Sequence, residues 1–289
     1  MPTYKEALLW AVQQLTNARV EGPRLDAEVL LVHVAAIDRA RLYSRWDETL
    51  ESSQWQSYQS NIKERIQGKP VAYIIGTREF MSLDFRVNEY VLIPRPETEI
   101  LVEWVLNDLQ SRGVERPRLV DVGTGSGAIA ISLAHYLPRA TIWAVDLSPG
   151  ALKVAKGNAR ANGVEQRVTF EQGNLLGSLQ AQLTEPLDWV VANLPYIPSE
   201  QIPTLQKEVQ HFEPHSALDG GPDGLDLYRQ LLPQAERVLK PGGWIGMEMA
   251  FDQGIALTKL LDVHVWEQIQ VLKDYAGLDR HVVARRKST

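Results

Sequence analysis

From Arg118 onward the sequence alternates short apolar runs with stretches of helical period, and few folds accommodate that order. Strand signals fall at Arg118–Val122, Thr141–Val145, Val168–Glu171, Leu187–Ala192 and Trp244–Met249. Helical stretches follow at Ala128–Tyr136, Pro149–Ala161, Leu225–Leu239 and Gln253–Leu261. Right-handed strand–helix–strand crossovers then dictate a mainly parallel sheet with helices on both faces. Two last β-like runs, Glu267–Lys273 and Arg280–Ala284, flank Gly277 and predict an antiparallel hairpin at one sheet edge.

The chain before this region reads differently. Apolar residues at Leu25, Val29, Val32 and Ile37, joined by Leu30, Leu31 and Val34, predict a largely buried helix, with Asp26 or the residues just before it as its cap. Trp46, Trp55 and Tyr58 follow, then Ile62 and Ile66 at helical spacing, until Gly68-Lys69-Pro70 breaks the pattern. Between Tyr73 and Ile93 the period shifts towards two, with Phe80, Leu83, Phe85 and Val87 between turn-like residues. The expected organisation is a small helical bundle over residues 1–72, a β-hairpin linker over 73–93 and an α/β domain over 94–289. The last of these opens on a helix whose first turn carries Pro96, Glu97 and Glu99, where free N–H groups and the dipole favour them.

Composition removes several classes of function. With 289 residues, 44% hydrophobic and 23% charged, the chain has the make-up of a globular protein with one large and one small domain. Cysteine is absent, which excludes disulfides, cysteine–zinc sites and thiol catalysis. The six histidines show no H-x-x-x-H spacing and no Ser-His-Asp set, so no metal is expected. Met1–Glu6 lacks the look of a signal peptide, and no apolar run approaches the ~20 residues that cross a bilayer. A cytoplasmic address without membrane contact is the expectation. The net charge is −6, and the one dense basic cluster, Arg285-Arg286-Lys287, reads as a solvated tail. Direct binding of nucleic acid is therefore not expected.

Two segments carry chemistry. Asp121-Val122-Gly123-Thr124-Gly125-Ser126-Gly127-Ala128 joins a strand to a helix, so its glycines permit a tight turn and its N–H groups face a ligand. Asp146, ending the next strand, is placed to accept both hydroxyls of a ribose. The same spacing satisfies the G-x-G-x-x-A of a dinucleotide dehydrogenase. Asp121 favours a cationic ligand over a pyrophosphate, and Asn174 and Leu175 after the third strand are placed to meet an adenine amine and its face. The second segment is Asn193-Leu194-Pro195-Tyr196, directly after the strand Leu187–Ala192. It sets an amide, a fixed carbonyl and an aromatic ring together, a group that grips a planar NH2.

These residues resemble the class I (Rossmann-like) S-adenosylmethionine methyltransferases and, within them, the bacterial peptide chain release factor glutamine methyltransferases. The likeness runs through Arg24–Leu31, Leu92–Glu99, Gly123–Gly127, Asp146, Asn193–Tyr196, Glu213-Pro214 and Leu218–Leu225. Pro94-Arg95-Pro96-Glu97-Thr98-Glu99 is its most specific part and looks like the release-factor enzymes rather than the relatives that modify a ribosomal protein.

The resemblance implies methylation of the glutamine in the Gly-Gly-Gln segment of release factors. S-adenosyl-L-methionine is the donor and S-adenosyl-L-homocysteine the product. It places the cofactor on Gly123, Thr124, Gly125, Ser126, Gly127, Asp146 and Asn193, and the substrate on Asn193 through Tyr196. Leu194 stands where the family usually has a second proline.

Asn193 Oδ1 and the Leu194 carbonyl are expected to accept one amide N–H each, with Tyr196 stacking on the amide or walling the methyl path. Phe80 is a candidate for the glutamine pocket, or core. Arg95 is a candidate for holding polar substrate groups, or a partner of Glu97 or Glu99. Gly220-Gly221 and Gly224 mark a loop near the site. A monomer is expected, with the helical bundle recognising the substrate protein. Competing readings are a ribosomal-protein glutamine methyltransferase, an adenine-amine methyltransferase acting on nucleic acid, and a catalytically silent binder of adenosyl ligands.

Overall fold

A computed structural model describes residues 1–288, so Thr289, the last residue of the expected α/β domain, lies outside the described residues. The described residues divide into two compact units, residues 1–77 with 206–212, and residues 78–205 with 213–288.

The first unit is helical: α1 (Tyr4–Asn17), α2 (Pro23–Ala35), α3 (Arg39–Ser44), α4 (Ser52–Ile66), α5 (Val71–Ile75) and, from farther along the chain, α9 (Lys207–Phe212). A reciprocal capping box starts α1, with Glu6 N–H donating to Thr3 Oγ1 at 3.2 Å and Thr3 N–H to Glu6 Oε2 at 2.8 Å. The predicted buried helix is present as α2, but Gly22 at φ 63° caps it and Pro23 opens it. Asp26 does not cap; its carboxylate takes Arg65 Nε at 2.6 Å, and the buried Arg65 also pairs with Glu208. Trp55 packs edge-on against Trp10 at 4.9 Å, and the buried Tyr58 hydroxyl donates to the Ala27 carbonyl at 2.8 Å. Tyr73–Ile75 close α5 instead of beginning a hairpin.

The hairpin β1 (Thr77–Phe80) and β2 (Leu83–Arg86) is shorter than predicted, and its Phe80 and Phe85 belong to the core of the second unit. Phe80 and Phe85 are buried edge to face, 6.1 Å apart. Asn158 holds β2 by accepting Arg86 N–H at 2.8 Å and donating to the Arg86 carbonyl at 3.0 Å.

The sheet strands are β3 (Arg118–Val122), β4 (Thr141–Asp146), β5 (Val168–Gln172), β6 (Leu187–Ala192), β7 (Leu239–Glu248), β8 (Trp266–Lys273) and β9 (Asp279–Arg286). The order across the sheet is β5-β4-β3-β6-β7-β9-β8. β3 to β7 run parallel, and β9 inserts antiparallel between β7 and β8, which is the predicted edge hairpin.

Side chains of β6 alternate between two cores: Val190 and Ala192 face one, Trp189 and Val191 the other. Helices α6 (Pro96–Ser111) and α7 (Ala128–Tyr136) feed the Trp189 side. On the Val190 side lie α10 (Asp226–Val238) and α11 (Gly254–Leu260). The remaining long helix, α8 (Pro149–Ala161), begins at Ser148, whose hydroxyl accepts Ala151 N–H at 3.2 Å. The last parallel strand begins earlier than predicted, at Leu239, running through Gly242-Gly243 before the apolar run.

Candidate active site

The strand order reverses between β3 and β6: β4 and β5 lie on one side, β7 on the other. Loops leaving the two strands diverge there and open a crevice at their carboxyl ends. Val122 is in register with Ala192, so the glycine loop and Asn193 start at the same level on adjacent strands. A cavity forms at this point, lined by residues of both loops and of the segment Tyr90–Thr98.

The loop is built from below. Asp121 is buried; its Oδ2 accepts the Thr124 hydroxyl at 2.6 Å and the Ala130 N–H at 3.1 Å. Burial pushes its carboxyl up to about 7, against the lowering effect of those two donors. It does not line the cavity, so the structure places it as the support of the loop and of the α7 start. Gly123 sits at φ 75°, and a Cβ there would come within 2.9 Å of Leu194 Cδ2. Gly127, at φ 84°, caps α7, and a Cβ would come within 2.6 Å of Ile131 Cδ1. Thr124, Gly125 and Ser126 line the cavity between them.

Asp146 also lines the cavity and is bonded directly to the loop. Its Oδ2 accepts Gly125 N–H and its Oδ1 accepts Ser148 N–H, both at 2.8 Å. Burial raises its pKa, and the backbone donors hold it down. Each carboxylate oxygen keeps a lone pair for a further donor. Asn174, exposed, and Leu175, buried at φ 53°, lie on the same wall.

On the other side stand Asn193, Leu194 and Pro195. Asn193 Nδ2 donates to Thr98 Oγ1 at 3.2 Å. The Leu194 side chain is buried in the core, and its carbonyl lies 3.4 Å from the Tyr228 hydroxyl, which donates to the Glu248 carbonyl. Tyr196 lies outside the cavity lining; its hydroxyl donates to Glu248 Oε1 at 3.2 Å, and burial raises its pKa. Phe80 lines the cavity while packed in the core. Arg95 lines it too, but pairs with Glu213 at 2.5 Å rather than with Glu97 or Glu99; Glu99 instead accepts Met81 N–H. The Gly220–Gly224 loop is fastened behind Tyr196, where Gln253 Nε2 bridges the carbonyls of Tyr196 and Asp223.

The lining suits S-adenosylmethionine. A carboxylate with spare acceptor capacity stands where a ribose diol is expected, and Leu147, Leu175 and Ile129 supply apolar faces. Among the described residues Arg95 is the one Lys or Arg of the lining, and Glu213 balances its charge, so a sulfonium meets no unpaired cation there. Among the described residues no cluster of His, Cys, Asp or Glu forms that could hold a metal ion.

Sequence reasoning passed over Thr98, Tyr228, Glu248 and Gln253. Thr98 lies inside the Pro94–Glu99 run. Glu248 ends a parallel strand, where such sheets place ligand-facing groups.

Residues 115–268 match a family model described as methyltransferase domain, and residues 6–76 match one described as PrmC N-terminal domain. Together with the crevice, glycine loop and strand-end acid, this defines a class I S-adenosylmethionine-dependent methyltransferase. A release factor glutamine methyltransferase of Moorella thermoacetica is 48% identical over 286 residues, covering 99% of each chain. One from Coxiella burnetii is 40% identical over 286 residues, 99% of this chain and 100% of that one. One from Geobacter sulfurreducens is 38% identical over 283 residues, 98% and 96%. The chain belongs to the release factor glutamine methyltransferase family.

Proposed function

We propose that this enzyme methylates the side-chain amide nitrogen of the glutamine in the Gly-Gly-Gln segment of peptide chain release factors, in the cytoplasm. The observation that carries the reading is the Val122–Ala192 register, which sets the amide of Asn193 beside the glycine loop. The names of the relatives, at up to 48% identity over nearly the whole chain, point to the same substrate class.

A glutamine nitrogen is a poor nucleophile because its lone pair is delocalised into the carbonyl. Bound S-adenosylmethionine supplies a methyl group on a sulfonium sulfur. From a donor held by Asp146 and the glycine loop, that methyl group would pass to the glutamine nitrogen, which would become pyramidal and gain positive charge. Asn193 Oδ1 and the Leu194 carbonyl each accept one N–H, fixing the amide plane and drawing that charge. Pro195 restricts Leu194 to extended backbone, which aims its carbonyl. The methylated nitrogen then releases one proton to water and regains amide conjugation. The helical unit serves to recognise the substrate protein.

Incubating the enzyme with methyl-labelled S-adenosylmethionine and, separately, a release factor, a ribosomal protein and DNA tests the reading. Label in the release factor alone is expected. Label in the ribosomal protein or DNA instead would overturn it.

A further inference from the structure

An asparagine side chain has two ends of nearly equal shape, and only one can accept the substrate N–H. If Asn193 Nδ2 turned into the cavity it would present a donor to a donor. Something must therefore fix the amide's polarity, and the residues behind it supply a chain of hydrogen bonds with one consistent direction.

Thr98 Oγ1 donates to Glu248 Oε2 at 2.6 Å. Both side chains are buried, with residue exposures of 4% and 1%. That bond uses the one hydrogen of the threonine hydroxyl, which is thereby committed to Glu248. Thr98 Oγ1 can then only accept from Asn193, and it does, from Nδ2 at 3.2 Å. A flipped amide would hold two oxygens at that distance with no hydrogen between them, leaving a buried acceptor unmet. Oδ1 is thereby left to face the substrate. The second carboxylate oxygen, Glu248 Oε1, takes the Tyr196 hydroxyl at 3.2 Å, so one acid ties down both ends of Asn193–Tyr196. His281 Nε2 is a further neighbour at 3.5 Å. Glu248 does not line the cavity.

We propose that Glu248 is a positioning residue that, through Thr98, sets the amide polarity of Asn193 and, directly, the place of Tyr196. The proposal rests on Asn193 accepting the substrate amide. In Glu248→Gln the new amide donates to Thr98 Oγ1, the threonine hydrogen is freed to point at Asn193, and the Asn193 amide is released to flip. Thr98→Val removes the relay while preserving shape.

The test measures kcat, the KM for release factor, the Kd for S-adenosylmethionine by calorimetry, and Tm. The variants are Thr98→Val, Thr98→Ser, Glu248→Gln, the double variant of Thr98→Val with Glu248→Gln, and Asn193→Ala. Thr98→Val and Glu248→Gln are each expected to lower kcat about 10- to 100-fold, with cofactor Kd within about 3-fold of the parent. Thr98→Ser, which keeps the hydroxyl, is expected to recover most of the loss, and the double variant to be no worse than the poorer single one.

Thr98→Val with unchanged kcat would overturn the proposal, even if Glu248→Gln fails to fold. So would a kcat loss matched by equal losses of cofactor affinity and Tm, or fully additive singles. An Asn193→Ala variant that keeps its turnover would remove the reading of the site and the relay with it. Asn193→Ala inactive beside active Thr98→Val would remove the relay alone.

Discussion

The hydroxyl of Thr124 donates to the carboxylate of Asp121 at 2.6 Å, so the glycine loop hangs from a buried acid three residues behind it. Asp121 Oδ1, the other oxygen of that acid, is buried without a hydrogen-bond partner. The result is a carboxyl pushed up by burial to about 7 from its ordinary 3.8.

That shift has a defined sign. The folded chain holds the Asp121 proton more tightly than the unfolded chain, so its contribution to stability is complete below pH ~4 and is lost as pH rises through about 7. The size is on the order of 1–4 kcal/mol. Asp121→Asn keeps an acceptor for Thr124 and removes the titration. Relative to the parent, its Tm is expected to improve between pH 5 and pH 8; melting curves at the two pH values check this, and an unchanged gap counts against it.

The glycines of the loop separate into two kinds. A Cβ on Gly125 would meet only the Gly123 carbonyl, at 3.9 Å, in a backbone of φ 55°. Gly125→Ala therefore costs about 1–2 kcal/mol of conformational strain and is expected to weaken S-adenosylmethionine about tenfold or more by filling the ligand's approach. A Cβ on Gly127 runs into Ile131 and, at 3.2 Å, Ala155. Gly127→Ala is expected to cost about 2–4 kcal/mol through overpacking added to strain. Calorimetry and thermal melts on the two variants should rank them in opposite orders.

The Leu194 side chain is 4% exposed within the core beneath the sheet end. Leu194→Pro keeps the carbonyl but loses that packing. Turnover within about threefold of the parent is expected, with stability lower by about 1–2 kcal/mol. A large fall in kcat at unchanged cofactor affinity would show that the leucine side chain, and not only its carbonyl, matters to transfer.

Much of this architecture was legible because it is local. The runs at Arg118–Val122 and Leu187–Ala192 became strands with those limits, as Ala128–Tyr136 and Pro149–Ala161 became helices, since apolar periodicity and turn residues agree there. Gly123, Asp146 and Asn193 could be placed at strand ends for the same reason. What escaped was non-local. Phe80 and Phe85 have the alternation of any hairpin, and only packing makes them core. Nothing near Arg95 reveals that its partner is Glu213, 118 positions on. Asp121 read as a ligand contact because sequence shows its neighbours but not that its side chain turns under the loop. Glu248 joins Thr98 across 150 positions, a pairing that exists only once α6 and β7 are packed.

The central claim is that the Asn193 end of β6 presents a glutamine amide of a release factor to the methyl donor. Its most direct test is to map the product. After reaction with methyl-labelled S-adenosylmethionine, the release factor is cleaved and its peptides are analysed by mass spectrometry, for the parent enzyme and for Asn193→Ala. One methyl group on the Gly-Gly-Gln glutamine is predicted, formed about a hundredfold more slowly by Asn193→Ala, and none when that glutamine is replaced in the substrate. A methyl group on another residue, or a parent rate from Asn193→Ala, would contradict the account.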